Sequence, residues 1–399
     1  MKLYTKLLIV SLLYFAEGFP FGIVEQTLQI YFFRHGWGVV NLGLLSLLKL
    51  PYALKFLWAP AVDFIGARRQ WIASAQFLMA GSLLLLISLD PASPNVLLWT
   101  AIAALAVLSA TQDIAVDAYT IELLKPSELG IANGFRQAAY RVAMLVAGGV
   151  FMYLVGWIGW KESFFLAALI LVGCSAVALK LPRVEVERPP VSLSSIVAPV
   201  KDLLSRPGVV QVALFILLYK LGDLALGPMV GPFWGASGLL DEEIGFIRTY
   251  LGVPAAIAGG LAGGLFIMRF GIFHGLWFLG LWQALSNLSY AWVAAYPSTG
   301  HLGIYAASAV ESFCGGLGTS AFLAFLMSIC RKEFSATQYA VLSALFQITG
   351  TIVGSFSGLA VLKMGYSDYF ALTFVLSLPA LAFIFVARSW IPRDPNGTK

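Results

Sequence analysis

Stretches of apolar residues, each long enough to cross about 30 Å of hydrocarbon, follow one another along nearly the whole chain. They fall near residues 4–33, 39–63, 70–89, 96–124, 130–156 and 162–181, and again near 207–235, 243–268, 272–295, 301–330, 335–362 and 367–390. Twelve such stretches predict an all-α integral membrane protein, because in lipid each backbone N–H and C=O must be paired within its own segment. Composition points the same way. Only 11% of the 399 residues are charged and 59% are hydrophobic, too little polar side chain to cover a soluble globule. The 39 glycines and 29 phenylalanines suit helices that approach closely and present bulky faces to lipid.

The net charge of +5 is therefore a topology signal and not a sign of nucleic-acid binding. With the N-terminus on the inside, sixteen of the 25 Lys and Arg residues fall in inside segments, and only Arg34, Lys161 and Lys363 fall outside. The positive-inside rule then places both termini in the cytoplasm and demands an even number of spans. Lys2 and Lys6 flank the first apolar run as in a signal peptide, but the run continues to about residue 33 without an A-x-A site, so it is expected to stay as the first span. The longest polar stretch, 182–206, divides residues 1–181 from 207–399 and reads as a cytoplasmic linker between two six-helix halves. Cys174, Cys314 and Cys330 lie in apolar stretches without CxxC spacing and read as packing residues. His35, His274 and His301 are scattered over loops and helix ends, so no metal site and no cofactor is expected.

Charges inside the spans carry the functional information. Lys49, Lys55, Arg136, Arg141, Lys220 and Arg248, with Glu17, Glu25, Asp113, Asp117, Asp223 and Glu311, all fall within apolar stretches. An ionised group at mid-bilayer costs at least about 2.5 kcal/mol, so such a set is expected only around a wet cavity with mutual pairing. Asp113 and Asp117, in ATQDIAVDAY, are spaced i, i+4 and share one helix face, with Gln112 beside it. Two carboxylates one turn apart repel, and a proton taken up there relieves the repulsion. They read either as a proton-coupling or substrate-contact site, or as acids permanently neutralised by Arg136 and Arg141. Those guanidinium groups equally suit an anionic substrate. Lys220 and Asp223, in YKLGD, read as substrate-binding or self-neutralising. Glu17 lies in AEGFPFG, where Gly18 and Pro20 interrupt the first span and could expose carbonyls beside an acid, the alternative being an ordinary proline kink. Glu311 precedes the glycine-rich SFCGGLG, which suggests close packing or a hinge. Glu25, Lys55 and Arg248 are given little weight, since long basic side chains snorkel. Trp37, Trp99, Trp157 and Trp160 are expected in an interfacial belt, while Tyr219, Trp282 and Tyr290 suit either core packing or stacking on a sugar ring.

The two halves echo one another. APAVDFIGARR at 59–69 and GGLFIMRFGIF at 263–273 follow the second helix of each half, with Gly66 against Gly271. A weak six-helix repeat joined by a basic linker resembles the major facilitator fold, in which two six-helix domains rock about a central cavity. DFIGARR is similar to that superfamily's D-R-x-G-R-R motif. The resemblance implies that Asp63 caps a helix and, with Gly66, Arg68 and Arg69, holds one conformation; Met268 stands where the second copy would need its acid. A tight basic turn is the alternative.

The strings LLKLPYALKFLWAPAVD, ATQDIAVDAYTIELL, LLYKLGD, QALSNLSYAW, ESFCGGLGTSAFLAFLMSIC and FSATQYAVLSAL together resemble the AmpG-type muropeptide permeases through most of the chain. The first two are shared with the related acetyl-CoA transporters, whereas LLYKLGD and ESFCGGLGTSAF lean toward the permeases. This resemblance implies proton-driven import of GlcNAc-anhydroMurNAc peptides from periplasm to cytoplasm across a bacterial inner membrane. It also implies a role in cell-wall recycling and, where the circuit exists, in signalling β-lactamase induction. Asp113 and Asp117 match the family's paired acids. Proton coupling then falls to Asp113, Asp117 and Glu17, and an anionic glycopeptide to Gln112, Arg136, Arg141, Lys220, Asp223 and Glu311. The protein is expected to work as a monomer in the bilayer. Some members carry further C-terminal spans, whereas this chain stops soon after the twelfth at Trp390, which leaves the substrate open. A carrier of coenzyme A thioesters, with more basic residues for phosphates, is the nearest alternative. A membrane-embedded transferase is another, although no nucleophile or metal motif marks one interface.

Overall fold

The computed structural model describes residues 1–37, 44–92, 95–184, 186 and 193–391. Among them nine helical runs are long and apolar enough to cross a bilayer, and no strand occurs. In chain order the helices are α1 (Leu3–Arg34), α2 (45–64), α3 (Arg68–Ser88), α4 (Val96–Leu123), α5 (Pro126–Ile158), α6 (Trp160–Leu179) and α7 (Val209–Ala236). A run of 54 residues, Glu242–Ala295, follows, then α10 (Pro297–Ser328), then a second 54-residue run, Lys332–Phe385. Each long run is broken at one glycine in the left-handed region, Gly271 (φ 83°) and Gly365 (φ 79°), a conformation that a Cβ disfavours. The arms are α8 (242–270) and α9 (272–295), and α11 (335–364) and α12 (366–387). Past Gly271 the chain turns back, so that a Cβ on Gly275 would stand 2.7 Å from Ile267. Divided in this way, the helices are consistent with the twelve expected spans in their expected order. The start of the second span, 39–43, and residues 187–192 of the expected linker lie outside the described residues.

Two elements depart from regular spans. In α2, short helices Leu50–Leu54 and Ala59–Phe64 each begin with a proline in the first turn and are joined through a 3₁₀ turn at Lys55–Leu57. Proline lacks the N–H that would continue a preceding helix, which is why this span is segmented. The linker carries a helix of its own, Leu193–Ser205.

Packing divides the chain into two compact units. One holds Met1–Leu123, Ala139–Val200 and Arg331–Ala340; the other holds Leu124–Ala138, Lys201–Cys330 and Val341–Lys399. Relative to the expected boundaries, 1–181 and 207–399, the start of α5 groups with the second unit and the start of α11 with the first. The first core packs Phe32, Met79, Leu105, Phe164 and Leu171, and the second packs Leu226, Phe233, Tyr290, Ile304 and Phe370. Trp37, expected in the interfacial belt, belongs instead to the first core: it stacks on Phe32 at 4.0 Å and its indole N–H donates to the Pro91 carbonyl at 2.6 Å. Trp157 does stand exposed.

A repeat is visible in the turns. Left-handed glycines close corresponding helices at Gly36 and Gly238, Gly66 and Gly271, and Gly159 and Gly365, each pair some two hundred residues apart.

Candidate functional site

Regular helical geometry on α4 aims Asp113 and Asp117 in one direction, as their spacing requires. What meets them is Lys55. Its side chain leaves the 3₁₀ turn of α2 and is only 2% exposed, with Nζ 2.5 Å from Asp113 Oδ2 and 3.8 Å from Asp117 Oδ2. From α1, Tyr14 donates its hydroxyl to Asp117 Oδ1 at 2.7 Å. Glu17 completes the group: carboxylate oxygens of Glu17, Asp113 and Asp117 all lie within 4.8 Å of one another. Such a trio has the spacing of a metal site, but the Lys55 ammonium already stands where a cation would bring its charge. Gln112, expected among the substrate ligands, is fully buried and donates to the Ala16 carbonyl at 2.8 Å, so it ties α4 to the α1 segment that carries Glu17.

Arg141 is half-buried and belongs to the same unit, whereas Arg136, also half-buried, belongs to the second. Nearer the end of α1, Glu25 pairs with Lys49 at 2.7 Å, and the lysine side chain is 60% exposed. A pair that open contributes little.

In the second unit, α7 breaks at Lys220 (φ −102°, ψ 6°), which separates Val209–Tyr219 from Leu221–Ala236. The break lets the buried Lys220 Nζ reach three acceptors: Asp223 Oδ2 at 3.0 Å, Gln283 Oε1 of α9 at 2.7 Å and the Gly315 carbonyl of α10 at 3.5 Å. The glycines after Glu311 serve close packing. Gly316 abuts the Ala256 carbonyl and Gly318 abuts the Gln283 amide, so any Cβ at either would collide. Glu311 is half-buried one turn before Gly315. Tyr219 and Tyr290, weighed as sugar platforms, are core residues: Tyr219 donates to the Leu276 carbonyl and stacks on Phe322, and Tyr290 bonds Ser308.

The DFIGARR turn forms a buried ionic knot within the first unit. Asp63, fully buried, accepts from Arg68 Nη2 at 2.8 Å and from the backbone N–H groups of Ala336 and Thr337 at 3.0 and 2.8 Å. A carboxylate thus caps the N-terminus of α11, where unpaired N–H groups and the helix dipole favour negative charge. Arg68 also donates to Glu122 at 2.9 Å and to the Val62 carbonyl, and Ser335 donates to Glu122 at 3.0 Å. Gly66 (φ 66°) makes the turn, and Arg69 donates to the carbonyls of Leu179 and Leu181 at the end of α6.

Tyr14, Glu122, Gln283 and Thr337 escaped the sequence reading, and Lys55, given little weight there as a residue that snorkels, is instead buried against Asp113. Lys55 left one signal, its place among the mid-span charges between Pro51 and Pro60; Glu122, Gln283 and Thr337 sit in motif strings whose partners are far away in the chain, and Tyr14 lies just before AEGFPFG.

Paired repeats of apolar helices with charges buried at their middle define a multi-pass membrane transporter. The sequence profile of the Major Facilitator Superfamily matches residues 7–354, and the chain belongs to that superfamily. Among curated relatives, Anhydromuropeptide permease of Escherichia coli (strain K12) is 34% identical over 391 residues, 95% of this chain and 79% of that protein. Putative transporter AmpG 4 of Rickettsia felis is 30% identical over 396 residues, 94% of this chain and 95% of that one. Among solved structures, the proton:xylose symporter XylE superposes with a TM-score of 0.73 at 11% identity, covering 96% of this chain and 95% of the other. A bacterial homologue of the iron transporter ferroportin in an outward-facing state gives 0.73 at 15% identity, covering 98% and 100%. These two share the fold.

Proposed function

We propose that this protein is a proton-coupled symporter that imports anhydromuropeptides from periplasm to cytoplasm across a bacterial inner membrane for cell-wall recycling. The observation that carries the substrate class is the 34% identity, over 95% of the chain, to an anhydromuropeptide permease. The carboxylate cluster supports the coupling. Two ionised carboxylates separated by up to 4.8 Å repel by about 3 kcal/mol at an effective dielectric near 20. A proton held on Asp113, Asp117 or Glu17 relieves that repulsion, and its release as the cluster hydrates couples transport to the gradient. Lys55 is the fixed counter-cation of that exchange, and Gln112 holds Glu17's helix in place.

Arg136, Arg141 and Lys220 are assigned to the anionic carboxylates of the peptide, with Asp223 and Glu311 as polar partners. Asp63, Gly66, Arg68 and Arg69 act as a clasp that must open during the transport cycle. The sixteen-to-three division of basic residues supports both termini in the cytoplasm. In liposomes containing the purified protein, labelled GlcNAc-anhydroMurNAc peptide is expected to accumulate, and a hundredfold excess (about two decades, ample to reveal competition) of acetyl-CoA is expected to leave uptake unchanged. Uptake of labelled acetyl-CoA in place of the muropeptide would assign the protein to the coenzyme A thioester carriers.

A further inference from the structure

A cleft of about 270 Å³ opens within the first unit between the N-terminal turn of α3, the end of α4 and the segment after α6. Its lining includes three guanidinium groups, Arg68, Arg69 and Arg183, together with Tyr119 and a single acid, Glu122. The proton and substrate residues assigned above do not line this space, although the clasp residues Gly66, Arg68 and Arg69 do. We propose that it is a binding site for a phosphate-bearing anion.

Charge makes the first argument. Arg68 is spent on Asp63 and Glu122, both within 2.9 Å. Arg69 and Arg183 have no carboxylate within ion-pair distance among the described residues, so the cleft keeps a positive excess. Hydrogen bonding makes the second. Arg69 gives one nitrogen to two neutral carbonyls, Leu179 and Leu181, each at 3.2 Å, while its Nε–H is buried without an acceptor. Because that Nε–H has almost no exposed surface, an anion in the cleft would meet Arg69 through its terminal nitrogens. Arg183, an exposed residue of the lining, makes no hydrogen bond or ion pair within the described residues. Two guanidinium groups facing one cleft at the start of a 21-residue helix match the several acceptor oxygens of a phosphate, which arginine binds in a fork. The oxyanion could come from the headgroup of an anionic lipid or from free phosphate. Either would sit beside Arg68, the residue that joins Asp63 to Glu122.

The test uses the full-length protein, delipidated in a neutral detergent without phosphate. Dioctanoyl phosphatidylglycerol, inorganic phosphate and, as a phosphate-free control, dioctanoylglycerol are titrated separately and read by native mass spectrometry and thermal shift. Saturable binding of one phosphatidylglycerol, weakened about tenfold or more in Arg183→Gln, is the expected result. Arg183→Gln should keep the ligand-free melting temperature, because the side chain is exposed. Saturation by inorganic phosphate alone would make the natural occupant a free anion; saturation only by the lipid would make it a headgroup. The proposal is overturned if neither phosphate compound binds saturably, which would mean that the chain's own acids, with Glu185 and Glu187 nearest in sequence, meet the charge. Equal binding by wild type, Arg183→Gln and the Arg69→Gln/Arg183→Gln double variant would overturn it as well.

Discussion

The ammonium of Lys55 stands 2.5 Å from the carboxylate of Asp113, with the side chain of the lysine 3% and that of the acid 14% exposed. A lysine buried so completely in an apolar helix bundle is tolerable because of its acids, and the acids because of it. Removing the lysine alone leaves buried negative charge without a partner. Lys55→Met should therefore cost about 3–5 kcal/mol of stability, read as a lower melting temperature in detergent, and should abolish concentrative uptake. Adding Asp113→Asn should recover part of the lost stability. A single variant that melts like wild type would remove Lys55 from the cluster's charge balance.

Asp117 is held from one side by Tyr14 at 2.7 Å and from the other by Lys55 at 3.8 Å. Asp117→Asn keeps the shape and loses the proton site. It should insert and fold, exchange substrate across the membrane down its gradient, and fail to accumulate it against one. Tyr14→Phe deletes a hydrogen bond to a charged group, worth about 1.5–3 kcal/mol, and should weaken accumulation without abolishing it. Wild-type accumulation by Asp117→Asn would mean that the paired acids are neutralised permanently.

The knot at Asp63 makes a separate prediction about stability. Asp63 and Arg68 share a direct bond at 2.8 Å, and each has further partners on α11 or α4. Single replacements by alanine should each cost about 3–5 kcal/mol, since each strands a buried charge. The double variant should cost less than the sum, with a coupling above about 1 kcal/mol. Additive losses in thermal or denaturant unfolding would show that the two residues act apart.

Glycine packing separates crowded from open positions. A Cβ on Gly264 would lie 2.7 Å from the Gly130 carbonyl oxygen and 3.0 Å from Ile131 Cα, where α5 crosses α8, whereas one on Gly81 in α3 meets nothing within 4 Å. Gly264→Val should lose about 1–3 kcal/mol through overpacking. Gly81→Ala should be neutral or stabilising by up to about 1 kcal/mol. Equal melting temperatures for the two variants would contradict the close crossing.

Much of the fold is legible in the sequence because the bilayer dictates span length, and few other structures can use so much apolar chain. The breaks at Gly271 and Gly365 fall within the gaps expected between spans. The i, i+4 pair Asp113 and Asp117 is also readable, since both sit on one regular helix. Lys55 is not, because residues 50–57 pass between α and 3₁₀ geometry and no single helical wheel assigns it a face. Asp63 with Thr337 and Arg68 with Glu122 join residues 274 and 54 positions apart, pairings that only tertiary packing creates. Trp37 departs from expectation for a related reason: a tryptophan near a helix end suits the interface in general, but here the ring is buried against Phe32 and its N–H finds the Pro91 carbonyl.

Gradient dependence tests the central claim most directly. Liposomes bearing the wild-type protein are given labelled GlcNAc-anhydroMurNAc peptide with an imposed inward proton gradient, or with none. Accumulation above the external concentration only when the gradient is present is the predicted result. Equal uptake under both conditions would contradict proton coupling at the Asp113, Asp117 and Glu17 cluster.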